Sequence, residues 1–131
     1  MNEIPVVLFA YARPAHLVRV LANMKENGVP LIEAFADGAK GAADAAAVAE
    51  VRAMLRAVDW CEVRLTEREE NWGLGKNVLA AVSEVATRHE AWVGWEDDLI
   101  AVPGTYAWVC AALRAYAGEA RVMSLSLIHI S

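Results

Sequence analysis

Cysteine and histidine are scarce in this sequence. The two cysteines, Cys61 and Cys110, lie far apart and do not form a pair with the short spacing of a zinc motif. The three histidines, His16, His89 and His129, form no ligand pattern either. The sequence therefore predicts neither a zinc site nor a disulfide framework, and both thiols are interpreted as reduced and buried in a cytosolic protein.

Basic clusters and long apolar runs are also missing. The formal net charge is -5, and no stripe of lysine and arginine is present, which argues against nucleic acid as a partner. No apolar run approaches the length that crosses a bilayer, and the start of the chain lacks a signal-peptide pattern. We therefore expect no transmembrane segment and a cytoplasmic location, with peripheral membrane attachment left open for the full-length protein.

The composition is that of a folded domain. Hydrophobic residues make up 57% of the 131 residues. The mean hydropathy is +0.29, well above that of disordered chains. A chain of this length suits one domain with a core of its own.

Short apolar runs alternate with helical patterns along the chain. The predicted strands are Ile4–Ala10, Leu31–Ala36, Cys61–Leu65, Ala91–Trp95 and Arg121–Ser124. The predicted helices begin at Pro14, near Val48, within Trp72–Asn77, and at Pro103 or Gly104. Such alternation is typical of parallel βαβ units, so we expect an α/β fold with a mostly parallel sheet.

Helical periodicity also predicts which faces are buried. The first helix has apolar residues at Leu17, Val20, Leu21 and Met24, and the third at Leu74, Val78, Val82 and Val85. Between these elements, Ala39–Ala47 is rich in alanine and glycine and is predicted to be flexible, and Thr66–Asn71 is predicted to be a charged loop.

An acidic triplet follows the fourth predicted strand. Glu96, Asp97 and Asp98 come directly after the apolar run that ends at Trp95. In open α/β sheets, ligands bind at the carboxyl ends of the strands. Adjacent carboxylates repel each other, and a divalent cation or the hydroxyl groups of a ligand would relieve that repulsion. The alternative is a solvated acidic turn, or a cap for the next helix.

Three further polar segments fall at the same predicted edge of the sheet. Arg13 follows the first strand and suits a phosphate or a base. Asp37 follows the second strand and can accept hydrogen bonds from a base or ribose. Gly73 and Gly75 open the third helix, whose N–H groups attract anions, and Lys76 adds a positive charge. Each has a simpler alternative, namely a surface arginine, a turn residue and an exposed helix lysine.

Other nucleotide-binding motifs match poorly. A Walker A loop would need glycine at the position of Glu70 and serine or threonine at the position of Asn77. A dinucleotide fingerprint would need glycine at the position of Val78.

Four segments together resemble a known family. VVLFAYARP, FADG, NWGLGKN and WVGWEDDLIAVPGTYAWV are similar, in order and spacing, to the nucleotide-sugar half of GT-A glycosyltransferases. The resemblance is to the N-acetylglucosaminyltransferase I-like family and related bacterial enzymes. It covers nearly all of Ile4–Ser124, and the EDD segment with the following proline is its most specific part. It implies a Rossmann-like GT-A fold with helices on both faces of the sheet.

The resemblance also implies roles for residues. Asp98 would be the direct ligand of Mn²⁺ or Mg²⁺ at the donor diphosphate, and Glu96 and Asp97 would contact the ribose and sugar hydroxyls. Arg13 and Asp37 would contact the nucleotide, most naturally its base. Ala12 stands where many relatives have a polar residue, so no contact is expected from that side chain.

The implied parent activity is an inverting, metal-dependent transfer of a sugar from a nucleotide diphosphate sugar, most naturally a UDP-sugar, to a hydroxyl of a glycan or another acceptor. The family's acceptor-binding part and catalytic base would lie beyond this chain, so residues 1–124 are interpreted as a C-terminally truncated donor-binding part. Leu125–Ser131 looks like a translated transposon-end adapter and is interpreted as a non-native tail, although a genuine apolar strand is the alternative. Two other functions stay open: a nucleotidyltransferase of related fold, and a nucleotide-sugar binding module without catalysis.

Overall fold

The computed structural model describes residues 3–96 and 100–115. Strands and helices alternate through this part of the chain. The strands are β1 (Val6–Ala10), β2 (Leu31–Ala36), β3 (Glu62–Glu67) and β4 (Val93–Trp95). The helices are α1 (Pro14–Glu26), α2 (Ala45–Arg56), α3 (Leu74–Ala86) and α4 (Thr105–Ala115). The predicted strand Arg121–Ser124 and the predicted tail Leu125–Ser131 lie outside the described residues.

The four described strands form one parallel sheet in the order β3-β2-β1-β4. In register, Val7 of β1 lies beside Glu33 of β2 and Gly94 of β4. This confirms the predicted α/β class with a parallel sheet, and the architecture is compatible with a Rossmann-like fold. Because all four strands are parallel, their carboxyl ends lie at one edge of the sheet, which we call the carboxyl edge.

Helices cover both faces of the sheet. On one face, Leu8 and Ile32 of the strands pack in a core with α1, α2 and α4. On the other face, Val7 and Phe35 pack against α3. Successive strand residues point to opposite faces, which explains why neighbouring residues join different cores. The expected placement of helices on both faces is therefore confirmed for the described residues.

The predicted buried faces are right for α1 and partly wrong for α3. Leu17, Val20, Leu21 and Met24 of α1 are all buried. In α3 the fully buried residues are Asn77, Ala81 and Val85, whereas Leu74 is 70% exposed. Leu74 is the first residue of the helix and lies outside the core on this face of the sheet, which we call the second core. The sequence pattern missed Asn77 because it is polar, yet it is buried with hydrogen-bonding partners.

The end of β3 and the start of α2 also differ from the prediction. β3 continues through Thr66 and Glu67, which were predicted to begin a loop, because these residues pair with Phe35 and Ala36 of β2. The segment predicted to be flexible, Ala39–Ala47, has a hydrogen-bonded turn, and α2 already begins at Ala45. Local composition reveals neither feature. Pairing with β2 extends β3, and the carboxylate of Asp44 forms the turn before α2.

The two cysteines are free, as predicted. Cys110 is buried and Cys61 is partly buried. Burial, assisted by the charge of Glu62, raises the pKa of the Cys61 thiol to about 11. This thiol therefore stays protonated at neutral pH and is a poor nucleophile.

A buried carboxylate ties the end of α3 to the sheet. Glu33 of β2 is 1% exposed. It accepts hydrogen bonds from Arg88 Nε at 3.2 Å and Nη2 at 2.9 Å, and its Oε2 lies 2.9 Å from His89 Nε2. Burial raises the pKa of Glu33, but the hydrogen bonds from Arg88 and His89, and then the charges of Arg88 and Arg64, outweigh it and lower the pKa below its ordinary value.

This lowered pKa predicts a loss of stability in acid. A carboxylate whose pKa is lower in the folded state than in the unfolded state stabilises the fold at pH values above its ordinary pKa. This contribution is lost as the pH falls through the folded-state pKa. We expect urea unfolding at a series of pH values to show the free energy of unfolding falling below about pH 4 in wild type. Glu33→Gln should lower stability at neutral pH and flatten that decline. An equal decline in the variant would assign it to other carboxylates.

Candidate functional site

The structure places four of the predicted site residues at the carboxyl edge or beside it. Arg13 immediately precedes α1 after β1, Asp37 follows β2, Lys76 lies in the first turn of α3 after β3, and Glu96 follows β4. The side chains of Arg13, Lys76 and Glu96 are exposed, whereas Asp37 is only 5% exposed. Asp97 and Asp98 lie outside the described residues, so their predicted roles stay predictions.

Asp37 is held by the chain itself. Its Oδ1 accepts hydrogen bonds from the backbone N–H of Gly38 and of Trp72, both at 2.8 Å. Its Oδ2 accepts from the N–H of Gly73 at 3.0 Å and from Asn71 Nδ2 at 3.4 Å. The carboxylate therefore bridges the end of β2 and the start of α3.

This bridge joins two features that were expected to contact a ligand separately. Asp37 was predicted to contact the nucleotide, and the start of α3 was predicted to attract its phosphates. The carboxylate accepts hydrogen bonds from the N–H groups of Trp72 and Gly73, the two residues immediately before the first helical residue. A carboxylate in this position is stabilised for the same reason that a phosphate would be.

Gly38 allows the loop after β2 to lie directly against the loop after β3. A Cβ atom on Gly38 would lie 2.4 Å from the carbonyl carbon of Glu70 and 3.0 Å from the carbonyl oxygen of Arg68. The adjoining carbonyl of Gly38 accepts a hydrogen bond from Asn71 Nδ2 at 2.9 Å. Arg52 Nη2 donates to the carbonyl of Arg68 at 2.5 Å and to the carbonyl of Asp37 at 3.3 Å. The loop after β3 is thus packed directly on the end of β2.

A row of rings and cations continues from this contact. The guanidinium carbon of Arg68 lies 4.1 Å from the ring centroid of Trp72 and 5.5 Å from that of Phe35. The Nζ of Lys76 lies 4.5 Å from the same Trp72 ring. Arg68 is 7% exposed, and its Nε donates to Asn77 Oδ1 at 3.1 Å. No sequence pattern predicted a role for Arg68 or Trp72. The polar Asn77 on an apolar helix face was the available sign of a buried partner.

The loops after β1 and β2 are also joined. The hydroxyl of Tyr11 donates a hydrogen bond to Asp44 Oδ2, and Asp44 also accepts from the N–H groups of Lys40 and Gly41 at 2.9 and 3.0 Å. The hydrogen bond from Tyr11 is the main cause that lowers the pKa of Asp44 to about 2, and the same bond raises the pKa of Tyr11. Asp44 is therefore ionised at neutral pH and orders the segment that was predicted to be flexible.

Two asparagines, one in the last turns of α1 and one immediately after it, fix the chain that follows the acidic triplet. Asn23, which is 5% exposed, donates to the carbonyl of Ala101 at 2.6 Å and accepts from its N–H at 2.7 Å. Asn27 Oδ1 accepts from the N–H of Tyr106 at 3.1 Å, in the first turn of α4. Sequence patterns did not predict the burial of these two amides.

The metal prediction rests on residues that are only partly described. Carboxylate oxygens are the ligands that Mg²⁺ and Mn²⁺ prefer, so the Glu96–Asp98 donor set suits either ion chemically. Of the three, the structure describes Glu96, which is exposed at the end of β4. Within residues 3–96 and 100–115, no group of three or more His, Cys, Asp or Glu side chains is placed to hold a metal.

No protein-family model, curated protein or solved structure matches this chain. The glycosyltransferase assignment therefore stays a prediction from sequence resemblance, with which the observed sheet is compatible. Among the described helices, none is long and apolar enough to cross a membrane.

Proposed function

We propose that this chain binds the donor of a metal-dependent, inverting GT-A glycosyltransferase. The donor would be a nucleotide diphosphate sugar, most naturally a UDP-sugar, and the parent enzyme would transfer its sugar to a hydroxyl of a glycan or another acceptor. The observation that supports this function best is that the four described strands are parallel, because the loops that carry the resemblance then follow the strands at one edge. In open parallel sheets that edge is where ligands bind.

The chemistry at this edge suits a nucleotide diphosphate. Lys76 and Arg13 are exposed cations that would neutralise charge on the diphosphate. Glu96 is an exposed carboxylate that would accept hydrogen bonds from ribose or sugar hydroxyls. Asp98, with Mn²⁺ or Mg²⁺ bound, would supply further charge neutralisation for the leaving diphosphate. No residue of this chain is assigned as the base that deprotonates the acceptor.

The structure refines what holds this edge together. Asp37 bridges the loops after β2 and β3, and Asp44 bridges those after β1 and β2. Loops that are joined in this way are ordered before a ligand arrives, which reduces the ordering that binding must accomplish. A binding edge for a flexible, highly charged ligand benefits from such prior order.

Calorimetric titration of UDP-glucose and UDP-N-acetylglucosamine into the chain tests this proposal. We expect binding that is tighter with Mn²⁺ than with chelator. Asp98→Ala should abolish the metal dependence, because it removes the predicted direct ligand. Glu96→Ala should weaken donor binding less, by about 1 kcal/mol, the scale of a solvated hydrogen bond.

The matched control is Asp59→Ala, which removes an exposed carboxylate that lies before β3, at the opposite edge of the sheet. This variant should bind the donor like wild type. Equal donor affinity with Mn²⁺ and with chelator would argue against a metal site in the triplet. Failure of the folded wild type to bind any nucleotide sugar would overturn the proposed function.

A further inference from the structure

We propose that Asp37 acts on the ligand indirectly, by positioning Trp72 and through it Lys76, which meets the diphosphate group of a nucleoside diphosphate. This inference rests on the proposed function and deepens it. It replaces the expected contact of Asp37 with the base by a contact of Lys76 with the phosphates.

The Asp37 carboxylate has no acceptor position left for a base or ribose. An ionised carboxylate accepts about four hydrogen bonds. Asp37 accepts four, from the N–H groups of Gly38, Trp72 and Gly73 and from Asn71 Nδ2. At 5% exposure it also lies below the surface that a ligand would touch. Its effect on a ligand must therefore pass through the groups that it holds.

Trp72 links Asp37 to Lys76. The N–H of Trp72 is bound by Asp37 at 2.8 Å, and its ring lies against buried Arg68 at 4.1 Å from the guanidinium carbon. Backbone and ring are thus both held. The Nζ of Lys76 lies 4.5 Å from the ring centroid, a distance at which the ring attracts the ammonium group. A free lysine samples many rotamers, so a ligand must order less of a lysine that already rests on a fixed ring.

Lys76 is the cation of this group that a ligand can reach. Arg68 contacts the same ring but is 7% exposed, and its guanidinium is enclosed by Phe35, Trp72 and Asn77. Lys76 is exposed in the first turn of α3. An ammonium group in this position selects for anionic oxygens, which in a nucleoside diphosphate belong to the phosphates and not to the base.

Titration of UDP and of CDP with Mn²⁺ into residues 1–131 separates positioning from base contact. The variants are Asp37→Asn, Lys76→Ala and the double substitution, with affinities expressed per folded molecule from far-UV circular dichroism. Lys25→Ala, in the last turn of α1, is the control for loss of one positive charge and should bind UDP like wild type.

We expect Asp37→Asn and Lys76→Ala each to weaken UDP binding about tenfold, the effect of losing a charge-assisted contact. The double variant should be within about twofold of Lys76→Ala, because residues that act through one another are not additive. The ratio of UDP to CDP affinity should stay at the wild-type value in Asp37→Asn. A changed ratio, an additive double variant or an unchanged UDP affinity in Asp37→Asn would overturn the positioning role.

Where Asp37→Asn does not fold, Trp72 supplies the same test. Trp72→Leu removes the ring but keeps the backbone N–H that Asp37 binds, and it should weaken UDP binding as much as Lys76→Ala and without additivity. Trp72→Phe keeps a ring beneath Lys76 and should stay within about threefold of wild type. If neither Trp72 variant changes UDP affinity, the positioning role is overturned. If folded wild type binds no UDP, the proposed function falls, and this inference falls with it.

Discussion

Gly38→Ala is expected to lower the free energy of unfolding by about 3 kcal/mol or more, at the upper end of the range for overpacking a tightly filled position. The added Cβ would lie 2.4 and 2.5 Å from the carbonyl carbon and oxygen of Glu70. These are backbone atoms, so no side-chain rotation relieves the clash. The loop after β3 would have to move off β2, which would stretch the hydrogen bonds that Asp37 makes to Trp72 and Gly73.

Gly41→Ala is the matched control in the same loop. A Cβ at Gly41 meets nothing within 4 Å, so the variant should stay within about 0.5 kcal/mol of wild type. Urea unfolding followed by far-UV circular dichroism measures both. Equal stability of Gly38→Ala and Gly41→Ala would show that the loop after β3 yields without cost, and that its contact with β2 contributes little.

Asp37→Ala is expected to destabilise the fold by about 3 kcal/mol, the scale of hydrogen bonds to a charged group that are lost together. From the sequence alone, Asp37 is expected to contact the nucleotide or to serve only as a turn residue. The structure changes this expectation, since the carboxylate is 5% exposed and bridges β2 to Trp72 and Gly73, the two residues that immediately precede α3.

Hydrogen exchange locates this effect. In Asp37→Ala the amides of Trp72 and Gly73 should lose protection, while those in the β1–β2 pairing should change only with global stability. Asp59→Ala removes an exposed carboxylate from another loop and should change stability by less than about 0.5 kcal/mol. If Asp37→Ala keeps wild-type stability and unchanged exchange at Trp72, Asp37 does not hold the two loops together. It would then again be a candidate for direct contact with the ligand.

Much of the architecture followed from local sequence patterns. β1 and β2 are apolar runs because both faces of a central parallel strand are covered. The face of α1 that includes Leu17 and Met24 could be predicted because burial of a helix against a sheet selects residues with a period of 3.6. The resulting βαβ alternation was enough to predict a parallel sheet, and hence that the segments after each strand share one edge.

Hydrophobic periodicity did not predict the burial of polar residues or the behaviour of residues at the ends of elements. Asn77 was not predicted to be buried, because a hydrophobic pattern cannot anticipate that Arg68 supplies a partner from the preceding loop. Leu74 was predicted to be buried, but it begins α3 outside the second core and is 70% exposed. The boundary of β3 was missed because pairing with β2, and not composition, extends it through Glu67.

The sequence by itself determined the class of the fold, the edge at which polar loops gather and the residue types available there. Those features depend on periodicity and chain order, which are local. Only the tertiary structure decided what each polar group is bonded to. Asp37 and the start of α3 are far apart in sequence, yet they satisfy each other because β2 and β3 are neighbours and Gly38 allows their loops to touch. Which carboxylate is free for a ligand and which holds the edge together is thus a property of non-local contacts.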